Sequence, residues 1–298
     1  MQHIGFVGAS GLMGHGMARS LLARGFKLSL TVHRNRERVA DLLSAGASLA
    51  ETPAALGRDC ELVIVCVTGS PQVEQVLSGP DGILTEPGQG LIVVDASTSE
   101  PDSTARLREA CAARGVTLVD APLTRTPVEA EQGRLNTMVG ADDAVLATIR
   151  PVLEAYCENV FHAGGPGAGH VVKLLNNFIA QAICTSAAEA FAVGVRAGID
   201  PRRLVDVVSA GGVNSGLFQA MARTLDGDFE GLKFELDNAR KDLRYYTHLA
   251  ESLPVAAQIG EAVHQSLVTA SALGHGSAFV PALVLAQEQL ANAKITPE

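Results

Sequence analysis

Ile4-Gly5-Phe6-Val7-Gly8-Ala9-Ser10-Gly11-Leu12-Met13-Gly14 is the stretch on which the fold turns. A short apolar run leads into glycines spaced GxxGxxG, and a helical pattern follows over 13–24. The run predicts a buried strand and the glycines a tight turn. Glycines at such a junction let the backbone approach a pyrophosphate, and the N-terminus of the next helix supplies N–H groups and a favourable dipole. Glycine turns also occur for packing alone. The place of this one, at the first strand–helix junction, points to a dinucleotide cradled by Gly8, Ala9, Ser10, Gly11, Leu12, Met13 and Gly14.

Outward from this junction, apolar runs recur at 28–32, 62–67, 91–94, 116–119 and 135–139. Helical patterns fill the gaps at 36–45, 71–77, 101–114 and 142–156. Continuous apolar strands alternating with helices predict an α/β fold, a doubly wound, mostly parallel sheet covered on both faces. After Gly164-Gly165-Pro166-Gly167 the strand signal stops, and helices are predicted at 168–196, 201–210, 214–225, 235–252, 255–271 and 279–292. Asp200-Pro201 reads as an N-cap with proline in the first turn. Two domains follow: 1–164 for the dinucleotide and an all-helical 165–298 for substrate and oligomerisation, joined by the long 168–196 helix. Its charge-free part, 174–188, is expected to be buried between domains or subunits, and a homodimer is expected, with a tetramer open.

Composition agrees with this plan. A chain of 298 residues suits two domains, and 47% hydrophobic with 18% charged residues suits a large core. Lys plus Arg is 23 against 32 Asp plus Glu, a net charge of −9, which gives no support to a nucleic-acid groove or a basic membrane face. The five cysteines, Cys60, Cys66, Cys111, Cys157 and Cys184, are odd in number and include no CxxC pair. Neither a disulfide scaffold nor a structural zinc site is expected, and a reducing cytoplasm fits. The strand pattern begins at once after Met1-Gln2-His3, so no signal peptide is expected. The charge-free stretch 265–287 is interrupted by Gly274-His275-Gly276 and Pro281, which predicts two buried helices and a turn rather than a membrane span.

His33-Arg34-Asn35-Arg36 follows the second strand. A carboxylate here would bind the ribose hydroxyls of NAD, whereas basic residues suit the extra phosphate of NADP. NADP is therefore favoured over NAD, with Arg34, Asn35 and Arg36 as contacts. His33 reads as a packing or adenine-contact residue. Val67-Thr68 and Ser97 follow the third and fourth strands, where this fold places ligands. Thr68 and Ser97 either cap the next elements or line the nicotinamide and substrate side of the cleft, and one role does not preclude the other.

Gly169-His170-Val171-Val172-Lys173-Leu174-Leu175-Asn176-Asn177 is the most informative helical stretch. Lys173 and Asn177 share a helix face, and Lys173 stands alone as a charge in an apolar section. Partial desolvation would lower its pKa towards a range useful for proton transfer. A lysine snorkelling between domains is the competing reading. The histidines are scattered and no metal-ligand cluster is evident, so no metal is expected.

These motifs together resemble the β-hydroxyacid dehydrogenase family, which includes 3-hydroxyisobutyrate dehydrogenases and glyoxylate, tartronate semialdehyde and succinic semialdehyde reductases. The resemblance covers almost the whole chain. It rests on the Gly8–Gly14 loop, Asp95-Ala96-Ser97-Thr98, Asp120-Ala121-Pro122, Gly133 with Met138-Val139-Gly140, Gly169-xxx-Lys173-xx-Asn176-Asn177, and Lys241-Asp242-Leu243. It implies an N-terminal Rossmann domain and a helical C-terminal domain. It assigns Lys173 as catalytic acid/base, Asn177 to substrate, Lys241 to the closed cofactor–substrate site, and Asp242 to holding that segment. The implied reaction passes a hydride between nicotinamide C4 and the carbonyl carbon of a small aldehyde or keto acid, with Lys173 exchanging the proton.

The chain departs from the family in three places. Its glycine loop has one residue more than the usual GxGxxG. Its second strand is about one residue longer before the cofactor-selecting turn. The family's Asp-Ala-Pro-Val-Ser-Gly-Gly loop reads Asp120-Ala121-Pro122-Leu123-Thr124-Arg125-Thr126-Pro127. An arginine flanked by Thr124 and Thr126 offers a bidentate anion grip, similar to an Arg-Thr pair in the sulfolactaldehyde reductase branch. This points to a sulfonate, phosphonate or second carboxylate on the substrate, unless Arg125 pairs with Glu129 or Glu131. Asn214 and Ser215 either border the pocket or cap the next helix, and Phe234 either closes the pocket or packs in the core. Three alternatives to an NADP-dependent β-hydroxyacid enzyme stand: an NAD-dependent sulfolactaldehyde-type reductase, an imine reductase (against which Lys173 argues), and a non-catalytic dinucleotide-binding protein.

Overall fold

The computed structural model describes residues 1–32 and 36–297. Two compact units emerge, Met1–Lys173 and Leu174–Glu298. Among the described residues, the first holds nine strands: β1 (His3–Val7), β2 (Lys27–Thr31), β3 (Ser48–Leu49), β4 (Leu62–Val65), β5 (Ile92–Asp95), β6 (Thr117–Asp120), β7 (Leu123–Thr124), β8 (Leu135–Gly140) and β9 (Cys157–Gly164). Their order is β3-β2-β1-β4-β5-β6-β8-β7, with β9 also paired to β8. β8 runs antiparallel to β6 and β7, and every other pairing is parallel. The helices of this unit are α1 (Leu12–Ala23), α2 (Ala40–Ser44, entered through a 3-10 turn at Glu37–Val39), α3 (Pro53–Asp59), α4 (Ser70–Ser78), α5 (Pro101–Ala112), α6 (Pro127–Glu131) and α7 (Asp143–Leu153).

The central strands β1, β4 and β5 are buried on both sides because their runs are apolar almost throughout. Leu62, Val63, Ile64 and Val65 of β4 are all fully buried. One face packs Phe6, Met17, Leu30, Leu42 and Ile149, and the other packs Leu56, Val73, Leu77 and Leu107. Register brings Val7 beside Val65, Val65 beside Asp95, and Asp95 beside Asp120, so four strand ends share one edge. The chain order reverses between β1 and β4, and ligands of open α/β sheets bind in the crevice at such a point.

α8 (Ala168–Arg196) is a single helix of 29 residues. α9 (Pro201–Ser209), α10 (Gly216–Ala222), α11 (Leu236–Ser252), α12 (Gln258–Ala270) and α13 (Leu283–Ala291) complete the second unit. Its core gathers Cys184, Ala188 and Phe191 of α8 with Met221, Leu243, Leu267 and Val284. Phe234 packs against this core. Between α12 and α13 the helix breaks at Gly274, whose φ is +97°, as the glycine and proline interruptions require. Among the described residues, α8 is the one helix long and apolar enough to cross a membrane. Within one chain only part of the 174–188 stretch is covered. Leu174, Cys184, Ala187 and Ala188 are buried, whereas Leu175 and Ile179 are exposed, because a helix presents every direction and only one side meets the core.

Candidate active site

The glycine loop is built by close approach. Gly8 has φ +98°, and a Cβ there would lie 2.0 Å from the carbonyl oxygen of Cys66 at the end of β4. A Cβ on Gly14 would lie 2.2 Å from the Gly8 carbonyl oxygen. The Gly11 amide donates to that same oxygen at 3.0 Å and closes the turn. Gly11 is also the N-cap of α1 and, having no side chain, makes no side-chain cap bond to the first-turn amides of Leu12, Met13 and Gly14. That is the arrangement an anionic phosphate completes. Ala9 is buried in the core beneath the loop, while Leu12 is exposed. Arg34 and Asn35 lie outside the described residues. Arg36 is exposed and precedes the 3-10 turn that enters α2.

The exits of β4 and β5 are tied together by Ser97. Its Oγ accepts from the Val67 amide at 3.0 Å and lies 3.5 Å from the Val65 carbonyl, while its own amide donates to Asp95 Oδ1 at 2.9 Å. Ser99 donates to the other Asp95 oxygen at 2.9 Å. The Ser97 hydroxyl, expected to face a ligand, is thus engaged in fixing the Val67-Thr68 turn, and the residue is buried.

Asp120, at the end of β6, organises the start of α8. Its Oδ1 accepts from the Gly167 amide at 2.6 Å and its Oδ2 from the His170 amide at 2.9 Å. One carboxylate thereby satisfies two of the donors that a helix start leaves open, and its charge suits the positive end of the helix dipole. The approach is close enough that a Cβ on Gly169 would lie 2.4 Å from the Met138 carbonyl oxygen. His170 is fully buried, its Nδ1 2.7 Å from Thr104 Oγ1 and its Nε2 3.2 Å from the Ser97 carbonyl oxygen. Lys173, half-buried, stands one turn further along. Asp95, Thr104, Asp120 and His170 therefore hold the site's framework. Asp95, Asp120 and His170 stand inside motifs legible in the sequence, but their joint role is visible only in the fold.

In the helical unit, Asp242 is the anchor. It is buried, accepts from Asn177 Nδ2 at 2.6 Å, and pairs with Lys241 Nζ at 2.8 Å. Asn177 Oδ1 in turn accepts from Asn176 at 3.1 Å. Lys241 Nζ also lies 5.0 Å from the centre of the Tyr245 ring, within cation–π range. Asn214 is exposed and bonded to the Ser209 carbonyl and the Gln219 side chain. Ser215, not Asn214, caps α10, accepting from the Phe218 amide at 3.1 Å.

The loop between β6 and α6 takes its own course. Thr124 pairs with Asn136 in the β7–β8 ladder. Thr126 caps α6: its hydroxyl accepts from the Val128 amide at 3.3 Å, and its amide donates to Glu129 at 3.0 Å. The Glu129 carboxyl is held below its ordinary pKa chiefly by the Thr126 hydroxyl. Arg125 between them has φ +79°, in the left-handed region. Its guanidinium pairs with Glu158 and donates to the Arg134 carbonyl, rather than pairing with Glu129 or Glu131.

Comparison with known proteins agrees with this geometry. Residues 3–164 match the model described as the NAD binding domain of 6-phosphogluconate dehydrogenase, and 167–285 match that described as NAD-binding of NADP-dependent 3-hydroxyisobutyrate dehydrogenase. The chain is 31% identical to 2-(hydroxymethyl)glutarate dehydrogenase of Eubacterium barkeri, over 98% of this chain and 97% of that one. It is 32% identical to 3-sulfolactaldehyde reductase of Escherichia coli, over 93% and 92%. The crystal structure of 3-hydroxyisobutyrate dehydrogenase (ygbJ) from Salmonella typhimurium superposes with a TM-score of 0.83 at 30% identity, covering 96% of this chain and 99% of that one. Psf3 in complex with NADP+ and 2-OPP superposes with a TM-score of 0.80 at 27% identity, covering 95% and 99%. With a phosphate-ready glycine loop at the sheet's switch point and both halves matched in order, the chain belongs to the 3-hydroxyisobutyrate dehydrogenase-like family of NAD(P)-dependent oxidoreductases, related to 6-phosphogluconate dehydrogenase.

Proposed function

We propose that this protein is an NADP-dependent reductase or dehydrogenase of a small β-hydroxyacid or aldehyde acid, with Lys173 as the proton donor and acceptor. The observation that supports it most is the bracing of α8. Asp120 and His170 fasten the first turn of that helix to the ends of β5 and β6, at the edge where this fold binds ligands, and Lys173 is on the next turn. The uncapped amides at the start of α1 and the close turn at Gly8 fit a dinucleotide pyrophosphate.

When bound, the nicotinamide supplies or accepts the hydride at the substrate's carbonyl carbon. Lys173 then delivers a proton from Nζ to the oxygen that becomes the hydroxyl, and its positive charge favours the developing alkoxide. In the oxidation direction it accepts that proton. Asn177 holds the substrate while Asp242 keeps its amide and the Lys241 ammonium in place. Arg34 and Arg36 grip the 2′-phosphate of NADP, a choice supported by charge and by the NADP+ complex of Psf3. Arg125 leaves Glu158 for a second anionic group on the substrate, a reading supported by the sulfolactaldehyde reductase likeness. Exposed Leu175, Ile179 and Val193 of α8 suit a homodimer contact, which light scattering tests.

The deciding experiment measures initial rates with NADPH and NADH on glyoxylate, succinic semialdehyde, tartronate semialdehyde, methylmalonate semialdehyde, sulfolactaldehyde and a cyclic imine. NADPH-dependent aldehyde reduction is expected, and Lys173→Ala is expected to abolish it while NADPH still binds. Imine reduction that survives Lys173→Ala would overturn the acid/base role.

A further inference from the structure

His15 follows the last glycine of the phosphate loop and stands where three segments meet. Its Nδ1 lies 2.8 Å from Glu131 Oε1 at the end of α6, and its Nε2 lies 3.1 Å from Asp41 Oδ1 on α2. α6 is the helix into which the Thr124-Arg125-Thr126 loop leads, and α2 follows the 33–36 stretch. The imidazole therefore links the glycine-loop helix to the helices behind both the substrate loop and the cofactor-selecting turn.

The protonation demand is fixed by geometry. Ionised carboxylates only accept hydrogen bonds, so both ring nitrogens must donate, and only the imidazolium does so. The neutral ring would turn a lone pair towards one carboxylate. The charged groups facing His15 are Asp41 from α2 and Glu131 from α6. Arg19, one turn on in α1, shares Glu131 at 3.2 Å. β2, also packed against α1, has Lys27 as its one charged residue, at the opposite edge of the sheet. Burial alone would lower the His15 pKa, but the bonds to Glu131 and Asp41 outweigh it and raise it above the ordinary value of 6.5. The Asp41 carboxyl is correspondingly lowered, chiefly by its bond to His15.

Resting on the cofactor reading above, we propose that His15 is a positioning residue whose imidazolium clamps α2 and α6 to the glycine-loop helix, so that NADPH binding weakens as the ring loses its proton. The clamp is complete below pH 6.5 and is lost as pH rises through the raised value. Its bonds are partly exposed, so the expected loss of affinity is about three- to fivefold.

The test is the dissociation constant of NADPH, followed by its fluorescence, between pH 7 and 9 for wild type, His15→Gln and Asp41→Asn, with NADH in parallel. This window lies above the ionisation of the cofactor's own 2′-phosphate near pH 6. Wild-type affinity is expected to fall across the window. His15→Gln is expected to be weak and flat. In Asp41→Asn the new amide donates to a neutral Nε2 while Nδ1–H still serves Glu131, so binding is expected to stay tight to pH 9. Asp41 is exposed, so this variant leaves the core untouched. Parallel pH profiles in all three proteins would overturn the clamp while leaving the cofactor reading intact. Failure of wild type to bind either dinucleotide at any pH would overturn the cofactor reading and the clamp with it.

Discussion

Removing the Asp120 carboxylate tests how the start of α8 is held. Asp120 is 1% exposed and accepts from two backbone amides, at Gly167 and His170, at the start of α8. Asp120→Ala leaves both donors without this acceptor, that of His170 buried and that of Gly167 partly so, and removes a negative charge from a helix N-terminus. A hydrogen bond to a charged group contributes about 1.5–3 kcal/mol, and a lost N-cap costs about 1 kcal/mol. The two bonds are one capping unit, so the combined loss is about 3–5 kcal/mol rather than a full sum. Asp120→Asn keeps one acceptor oxygen but turns its NH2 towards the other amide, so about 2–3 kcal/mol is expected. Hydrogen exchange read amide by amide is the direct assay. Protection at Gly167 and His170 is expected to fall by at least about a hundredfold in Asp120→Ala, the equivalent of roughly 3 kcal/mol. On the proposed role of Lys173, turnover is expected to fall with it, since that residue rides on the loosened turn. Unchanged protection at both amides in Asp120→Ala would refute the reasoning, whatever the rate did.

Two further substitutions bear on other parts of the chain. Arg125→Gly removes roughly 1–2 kcal/mol of left-handed backbone strain along with a partly exposed ion pair, so its melting temperature is expected to stay near wild type. Its KM for a doubly anionic aldehyde is expected to rise about tenfold while that for glyoxylate is unchanged, and an equal rise for both would remove Arg125 from substrate selection. Tyr156 is fully buried, and among the described residues its hydroxyl has no partner, so Tyr156→Phe is expected to melt at the same or a higher temperature by about 1 kcal/mol of stability. A clear loss of stability in that variant would reveal a hydrogen bond to the hydroxyl.

Periodicity and turn chemistry made most elements legible before any coordinates. The six apolar runs all become strands, and the 168–196 pattern becomes α8 with the same limits. β9 was missed because Cys157-Glu158-Asn159-Val160-Phe161-His162 is neither a continuous apolar run nor a clean alternation. It is a strand because β8 pairs with it, a relation that no local window contains. The short helices α3 and α6 were also missed, yet both begin Thr-Pro, at Thr52-Pro53 and Thr126-Pro127, with the threonine accepting from the first turn. That is the signal already used at Asp200-Pro201, and length alone hid it. At the site, residue types suggested Lys173 and Asn177, but the scaffold behind them was not legible. Asp120 meets His170 across 50 positions and His170 meets Ser97 across 73. For Arg125 the sequence offered Glu129 or Glu131 as ion-pair partners, and the partner found is Glu158 on the unrecognised strand.

The left-handed backbone at Arg125 bears on how the proposed acid preference would be retuned. The Asp-Ala-Pro-Val-Ser-Gly-Gly loop that this segment resembles has glycine at this point, and Arg125 has a left-handed φ of +79° while displaying a long cationic side chain. Glycine adopts this φ without strain, so exchanging arginine for glycine keeps the backbone path open and gives up the guanidinium's bonds to Glu158 and the Arg134 carbonyl. On the proposed role of Arg125 in gripping a second anion, libraries meant to retune acid preference are best started at position 125, with glycine as the strain-free intermediate.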